Sequence, residues 1–145
     1  MTTKVAFIGL GVMGFPMAGH LTKSDFDVTV YNRTQSKADK WLTSYDGQAQ
    51  STPAKAATDA DIIFICVGND DDLRSVVCGS DGILATAKCG AIIVDHTTAS
   101  ADVARELAAL SATQEVAFLD APVSGGEAGA VNGQLTVMIG GDIKI

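Results

Sequence analysis

No apolar run in this 145-residue chain approaches the ~18 residues that a membrane-spanning helix needs, and no charged-then-apolar leader opens it. Basic charge is scarce: 10 Lys and Arg stand against 17 Asp and Glu, a formal net charge of −7. That balance excludes the broad basic surface on which nucleic acid or an anionic membrane would be held. Cysteine is sparse as well. Cys66, Cys78 and Cys89 form neither the close-spaced pairs of a metal site nor a redox dithiol. Three thiols without a leader are expected to stay reduced in a cytoplasmic protein, and Cys66, inside an apolar run, is expected as a small core residue. Repeats, low-complexity segments and linkers are also lacking, so residues 1–145 are expected to form one domain.

Glycine is not scarce. Three of the 15 glycines, Gly9, Gly11 and Gly14, stand in the order G-x-G-x-x-G after the apolar run 5–8 and before a helix-forming stretch. In a strand–turn–helix setting the first turns the chain, the second lets backbone approach a pyrophosphate, and the third lets helix pack on strand. Unpaired N–H groups at the helix start favour the negative charge of that pyrophosphate. The segment Gly9, Leu10, Gly11, Val12, Met13 and Gly14 is therefore the expected dinucleotide cradle.

The next apolar run, 28–31, is β-branched and aromatic and reads as a strand. A fold that prefers NAD usually ends this strand in Asp or Glu, which holds the ribose 2′-OH. Here the matching position is Asn32, followed by Arg33 and Thr34. A carboxylate would repel a 2′-phosphate, whereas a guanidinium grips one with charge-assisted bonds. The expected cofactor is NADP(H) rather than NAD(H).

Further apolar runs lie at 48–51, 62–67, 91–94, 116–119 and 135–139, with helical or turn-rich material between, at 13–23, 36–42, 53–57, 71–77 and 101–112. In the last of these helices Val103, Leu107 and Leu110 share one face, and Ser100 is placed to cap it. Strands alternating with helices imply a doubly wound α/β domain with a mainly parallel sheet, the Rossmann-type dinucleotide-binding fold. Ligands bind such sheets beyond the carboxyl ends of the strands. Three strand ends run into polar or glycine-rich segments: 68–72, 95–98 and 120–126.

Assembled, these segments resemble the N-terminal part of the β-hydroxyacid dehydrogenase family. That family includes 3-hydroxyisobutyrate dehydrogenase, tartronate semialdehyde reductase and the glyoxylate/succinic semialdehyde reductases, and is related to 6-phosphogluconate dehydrogenase. Four motifs carry the resemblance: Phe7-Ile-Gly-Leu-Gly-Val-Met-Gly14 with Pro16-Met17-Ala18, Tyr31-Asn-Arg-Thr34, Asp95-His-Thr-Thr98 and Asp120-Ala-Pro-Val-Ser-Gly-Gly126. The resemblance implies that Ser124, Gly125 and Gly126 bind the substrate's carboxylate and reacting oxygen. Paired glycines after a strand also make a good anion nest in their own right. It further implies that Cys66, Val67, Gly68 and Asp71 pass near the cofactor ribose and that Thr98 hydrogen-bonds near the nicotinamide. His96 departs from the small residue of the family pattern; it touches the cofactor or faces solvent, and has no assigned role. His20 is expected to be structural.

Other chemistries fit less well. Consecutive acids at 70–72 mark a helix start, where they serve as caps and dipole partners rather than as metal ligands. Asp95, His96 and Ser124 hold the residue types of a hydrolase triad, but the G-x-S-x-G elbow is lacking.

By the same resemblance, a second, all-helical domain would follow Gly141, carry a catalytic Lys in a G-x-x-x-N-x-x-K pattern and mediate homo-oligomer contacts. No such motif occurs in this chain, and Lys144 does not match it. The expected function of the parent protein is NADP(H)-linked interconversion of a small 3- or 4-hydroxy acid and its aldehyde acid. The alternative is a cofactor-binding module without turnover on its own, and the absent lysine-bearing helix separates the two.

Overall fold

A computed structural model describes residues 2–145. Six strands form one parallel sheet: β1 (Lys4–Ile8), β2 (Asp27–Tyr31), β3 (Gln48–Ala49), β4 (Ile62–Ile65), β5 (Ile92–Asp95) and β6 (Ala117–Asp120), in the order β3-β2-β1-β4-β5-β6. The helices are α1 (Gly14–Lys23), α2 (Gln35–Ser44), α3 (Pro53–Ala57), α4 (Asp70–Cys78), α5 (Ala101–Ala112) and α6 (Gly126–Asn132).

β1 is central, and its apolar run is continuous because both of its faces are covered. Successive side chains point to opposite faces, which divides the core in two. Val5 and Phe7 join Val28, Val30, Ala18, Ala38 and Trp41 beneath α1 and α2. Ala6 and Ile8 join Ile63, Ile65, Ile93, Leu73, Val77, Val103 and Leu107 beneath α4 and α5. Burying each large apolar side chain contributes roughly 1.5–3 kcal/mol, so the double-sided core is the main term holding helices to sheet. Trp41 is fully buried and its indole N–H donates to the Phe15 carbonyl at 3.2 Å, which ties α2 to α1. Local chemistry sets the helix starts. Ser100 accepts the Val103 N–H at 3.1 Å, Asn69 accepts that of Asp72 at 2.8 Å, and Thr52 accepts that of Lys55 at 3.1 Å.

The run 135–139 departs from the parallel expectation. Its core, β8 (Thr136–Val137), pairs antiparallel with β7 (Val123–Ser124) in a separate two-stranded sheet. A parallel return needs a crossover of about a dozen residues or more. The seven-residue α6 is too short for that, and Gly133, at φ 66°, turns the chain straight back. The sequence pattern gives no signal for α6 either, because the glycine-rich segment that forms it has poor intrinsic helix propensity. His20 of α1 holds it from outside: Nε2 lies 2.9 Å from the Ala130 carbonyl and 3.1 Å from that of Val131. Two acceptors facing one nitrogen require that Nε2 carry the proton. His20 is thus structural.

Candidate functional site

The strand order reverses between β1 and β4, and there the crossover helices leave on opposite faces of the sheet. A groove of about 410 Å³ opens at that point. Its floor is the glycine loop after β1; its walls are the end of β2, the first turn of α2, the segment after β4 and one face of α4.

The three glycines of the loop have separate physical causes. Gly9 has φ 104°, and a Cβ on it would overlap the Cys66 carbonyl. A Cβ on Gly14 would overlap the carbonyl of Gly9. Packing alone demands these two. At Gly11, by contrast, a Cβ would meet no protein atom within 4 Å. Nothing in the fold forbids a side chain there; what a methyl group would fill is space in the groove. The start of α1 is open in the same direction. Met13 gives it no side-chain cap and no acid lies in its first turn, whereas α4 has the Asn69 cap and three acids. An anion is the natural partner for such a terminus. A pyrophosphate therefore fits the residues present.

The end of β2 is braced to this loop. Asn32 Oδ1 accepts the Leu10 N–H at 2.9 Å, and its Nδ2 donates to the Thr34 carbonyl at 3.1 Å. Arg33 reaches across the groove mouth, its side chain 83% exposed, to an ion pair with Asp72 Oδ1 at 3.4 Å.

Of the residues anticipated from the sequence, Gly9, Gly11, Val12, Met13, Gly14, Asn32, Arg33, Thr34, Cys66, Val67 and Gly68 line the groove. Leu10 does not; its side chain is buried in the core and it contributes its N–H to Asn32. Asp71 and Thr98 lie beside a neighbouring shallow depression, with Gly68, Asn69, Asp70 and Arg74. Asp71 is 94% exposed and pairs with Arg74 at 3.2 Å, so the α4 acid facing the groove is Asp72. Ser124, Gly125 and Gly126 stand apart at an exposed turn, where Ser124 pairs with Thr136 and both glycines have positive φ. Tyr31, Lys37, Ser75 and Val76 also line the groove. For Ser75 and Val76 the signal is helical spacing, since 72, 75 and 76 fall on one face of α4.

Beneath the groove Asp95, His96 and Thr97 of the segment Asp95-His-Thr-Thr98 form a polar support, whose burial the sequence does not signal. Asp95 is fully buried at the end of β5; Oδ1 accepts the Thr97 N–H at 2.9 Å, and Oδ2 has no partner. Burial pushes this carboxyl up to about 6. Thr97 in turn accepts the Val67 N–H on Oγ1 at 3.1 Å, so the buried acid positions a groove wall through one hydroxyl. Burial, helped by the Asp95 charge, pushes the Cys66 thiol up to about 11, which keeps it protonated and poorly nucleophilic at neutral pH. His96 does not face solvent. It is buried, stacks on Phe64 with ring centroids 5.8 Å apart, and donates from Nδ1 to the Ala121 carbonyl at 2.7 Å. Burial lowers its pKa and favours the neutral ring.

The acids at 70–72 diverge. Asp70 accepts the Ser100 N–H and hydroxyl at 2.9 and 2.6 Å, Asp71 faces Arg74, and Asp72 faces Arg33. Among the described residues no three His, Cys, Asp or Glu gather as a metal-binding group, and no helix is long and apolar enough to cross a membrane.

Comparison with known proteins agrees with this architecture. A family model described as the NAD binding domain of 6-phosphogluconate dehydrogenase matches residues 4–145. An uncharacterized oxidoreductase of Shewanella frigidimarina is 67% identical over 139 residues, 96% of this chain and 48% of that protein. Among solved structures, Mycobacterium tuberculosis 3-hydroxyisobutyrate dehydrogenase with L-serine superposes with a TM-score of 0.91 at 32% identity. That match covers 99% of this chain and 48% of the other. A structure named Psf3 in complex with NADP+ and 2-OPP gives a TM-score of 0.89 at 30% identity, over 97% and 49% of the two chains. The chain belongs to the family of the NAD binding domain of 6-phosphogluconate dehydrogenase, and it spans about half the length of the relatives it matches.

Proposed function

We propose that this chain is the NADP(H)-binding domain of an oxidoreductase that interconverts a small 3- or 4-hydroxy acid and its aldehyde acid. The observation that carries the cofactor reading is the composition of the groove at the end of β2. No carboxylate stands at Asn32, and the guanidinium of Arg33 lies at the groove mouth. The backbone of 9–14 would hold the pyrophosphate. Arg33 and Thr34 would hold the 2′-phosphate, and Cys66, Val67 and Gly68 would border the ribose.

Gly68 lines both the groove and the depression beside Thr98 and Asp71. This continuity supports a cofactor that runs past Gly68, with Asp71 beside the ribose and Thr98 beside the nicotinamide. A bound nicotinamide supplies or accepts the hydride. Ser124, with the amides of Gly125 and Gly126, would orient the substrate carboxylate and carbonyl oxygen. The alternative is a domain that binds cofactor but turns over little substrate by itself, the proton donor for the carbonyl oxygen coming from elsewhere in the parent protein. The parent is proposed to be cytoplasmic and homo-oligomeric.

Fluorescence titration of NADPH and NADH tests the cofactor assignment. One charge-assisted contact is worth roughly 1.5–3 kcal/mol, so NADPH should bind about one to two powers of ten more tightly. Arg33→Ala should weaken NADPH and leave NADH nearly unchanged. Equal affinities, or a preference for NADH in the unaltered chain, overturn the assignment.

A further inference from the structure

Arg33 does not stand free at the groove mouth. Its partner, Asp72, comes from the opposite wall, 39 positions later in the chain, and among the described residues is the sole acidic one lining the groove. The other two acids of that helix turn are engaged elsewhere, Asp70 with Ser100 and Asp71 with Arg74. The carboxylate of Asp72 also lies close over the Gly68 backbone: a Cβ at Gly68 would come within 2.9 Å of Oδ2. Asp72 is thus held on the groove side of α4. Its N–H is bound to Asn69, its one ionic partner is Arg33, and its side chain is 31% exposed.

From this juxtaposition we infer that Asp72 is a specificity-determining residue that limits how strongly the site prefers NADP(H) over NAD(H). The inference rests on the reading of Arg33 as the 2′-phosphate contact. A phosphate seated on Arg33 must displace or share the Asp72 carboxylate and then lie beside a like charge. A ribose 2′-hydroxyl meets the opposite situation, because it can donate to a carboxylate. The acid usually found at the end of β2 in NAD-preferring sites is therefore supplied here from α4, facing the arginine that opposes it. Asp72 and Arg33 pull the cofactor preference in opposite directions.

Asp72→Asn removes the charge while keeping the shape and the backbone bond to Asn69. For a pair this exposed, the ratio of NADPH to NADH affinity should rise about three- to tenfold. NADPH should bind more tightly, and NADH should be unchanged or weaker. The gain should shrink as salt is raised, because the repulsion is screened. Fluorescence titration of both cofactors against the chain, Asp72→Asn, Asp72→Ser and Arg33→Ala separates the possibilities. A ratio within twofold of the original in both Asp72 variants, or one moved toward NADH, overturns the role of Asp72. If the ratio falls in Arg33→Ala while the Asp72 variants leave it unmoved, only the Asp72 inference fails. If Arg33→Ala leaves the ratio unmoved, the reading of Arg33 fails, and competition for its guanidinium fails with it. Asp72→Ser also keeps the backbone N–H that Asn69 accepts and serves if the amide disturbs folding; matched circular dichroism and melting curves establish that.

Discussion

Asn32 and Leu10 are joined by a 2.9 Å hydrogen bond from backbone N–H to side-chain oxygen, which crosses from the end of β2 to the glycine loop after β1. The loop cannot satisfy that N–H by itself, and Asn32 completes the brace by donating to Thr34. Asn32→Ala should therefore strand a part-buried donor, at about 1–3 kcal/mol of stability. It should weaken NADPH and NADH alike, since the loop serves the part they share. Asn32→Asp keeps an acceptor but adds a charge beside the 2′ position, so it should restore the melting temperature and shift preference toward NADH. Paired melting curves and titrations check both; a selective loss of NADPH in Asn32→Ala would contradict the brace.

Gly9 and Gly11 should respond in opposite ways to the same methyl group. Gly9→Ala forces a left-handed backbone on alanine and a clash with Cys66, and should cost several kcal/mol, about 2 or more from these two causes. Gly11→Ala meets no protein atom within 4 Å and should leave the melting temperature almost unchanged. It should still weaken both cofactors by roughly tenfold, because the methyl occupies their space. Loss of stability without loss of affinity in Gly11→Ala would sink this assignment.

Asp95 sets a pH dependence of stability. Its folded pKa of about 6 lies above the ordinary 3.8, so the fold favours the protonated acid. The associated stability is fully present below pH ~4 and is lost as pH rises to about 6, some 3 kcal/mol in all. Exposed Asp61 and Asp70, whose pKa values are lowered by their hydrogen-bond partners, act in the other direction. The comparison of the chain with Asp95→Asn isolates the effect. Urea unfolding between pH 4 and 7 should show the variant gaining on the original as pH rises, and parallel curves would refute it.

Ser124 lies outside the groove, on an exposed turn. Ser124→Ala should leave NADPH affinity within about twofold. In a parent protein with both halves it should lower kcat/KM for the aldehyde acid, as expected for loss of a substrate contact. Serine-directed phosphonates should not label it, since no base is bonded to its hydroxyl. Stoichiometric labelling, or a loss of NADPH binding in the variant, would reverse the placement.

Much of the architecture is legible residue by residue. The apolar run 5–8, the Ser100 cap and the spacing of Gly9, Gly11 and Gly14 are short-range properties. They act within a few residues, and each is satisfied in the fold where the pattern puts it. Asn32, Arg33 and Thr34 belong to the same class, because the end of β2 must lie beside the end of β1 in a parallel pair.

Tertiary structure decided the rest. Three acids in a row at 70–72 are equivalent as text, but each step along a helix rotates the side chain by about 100°. Only the docking of α4 on the sheet turns Asp72 to Arg33 and Asp71 to solvent. Burial of Asp95 and His96 depends on what packs over the ends of β5 and β6, which no local pattern encodes. The direction of 135–139 follows from the length of α6, and α6 from a histidine more than a hundred residues earlier. Periodicity, capping and turn chemistry are written locally and were set by the sequence alone. Helix phase, the partner of a given charge, and the dielectric around a buried acid arise only when distant segments meet.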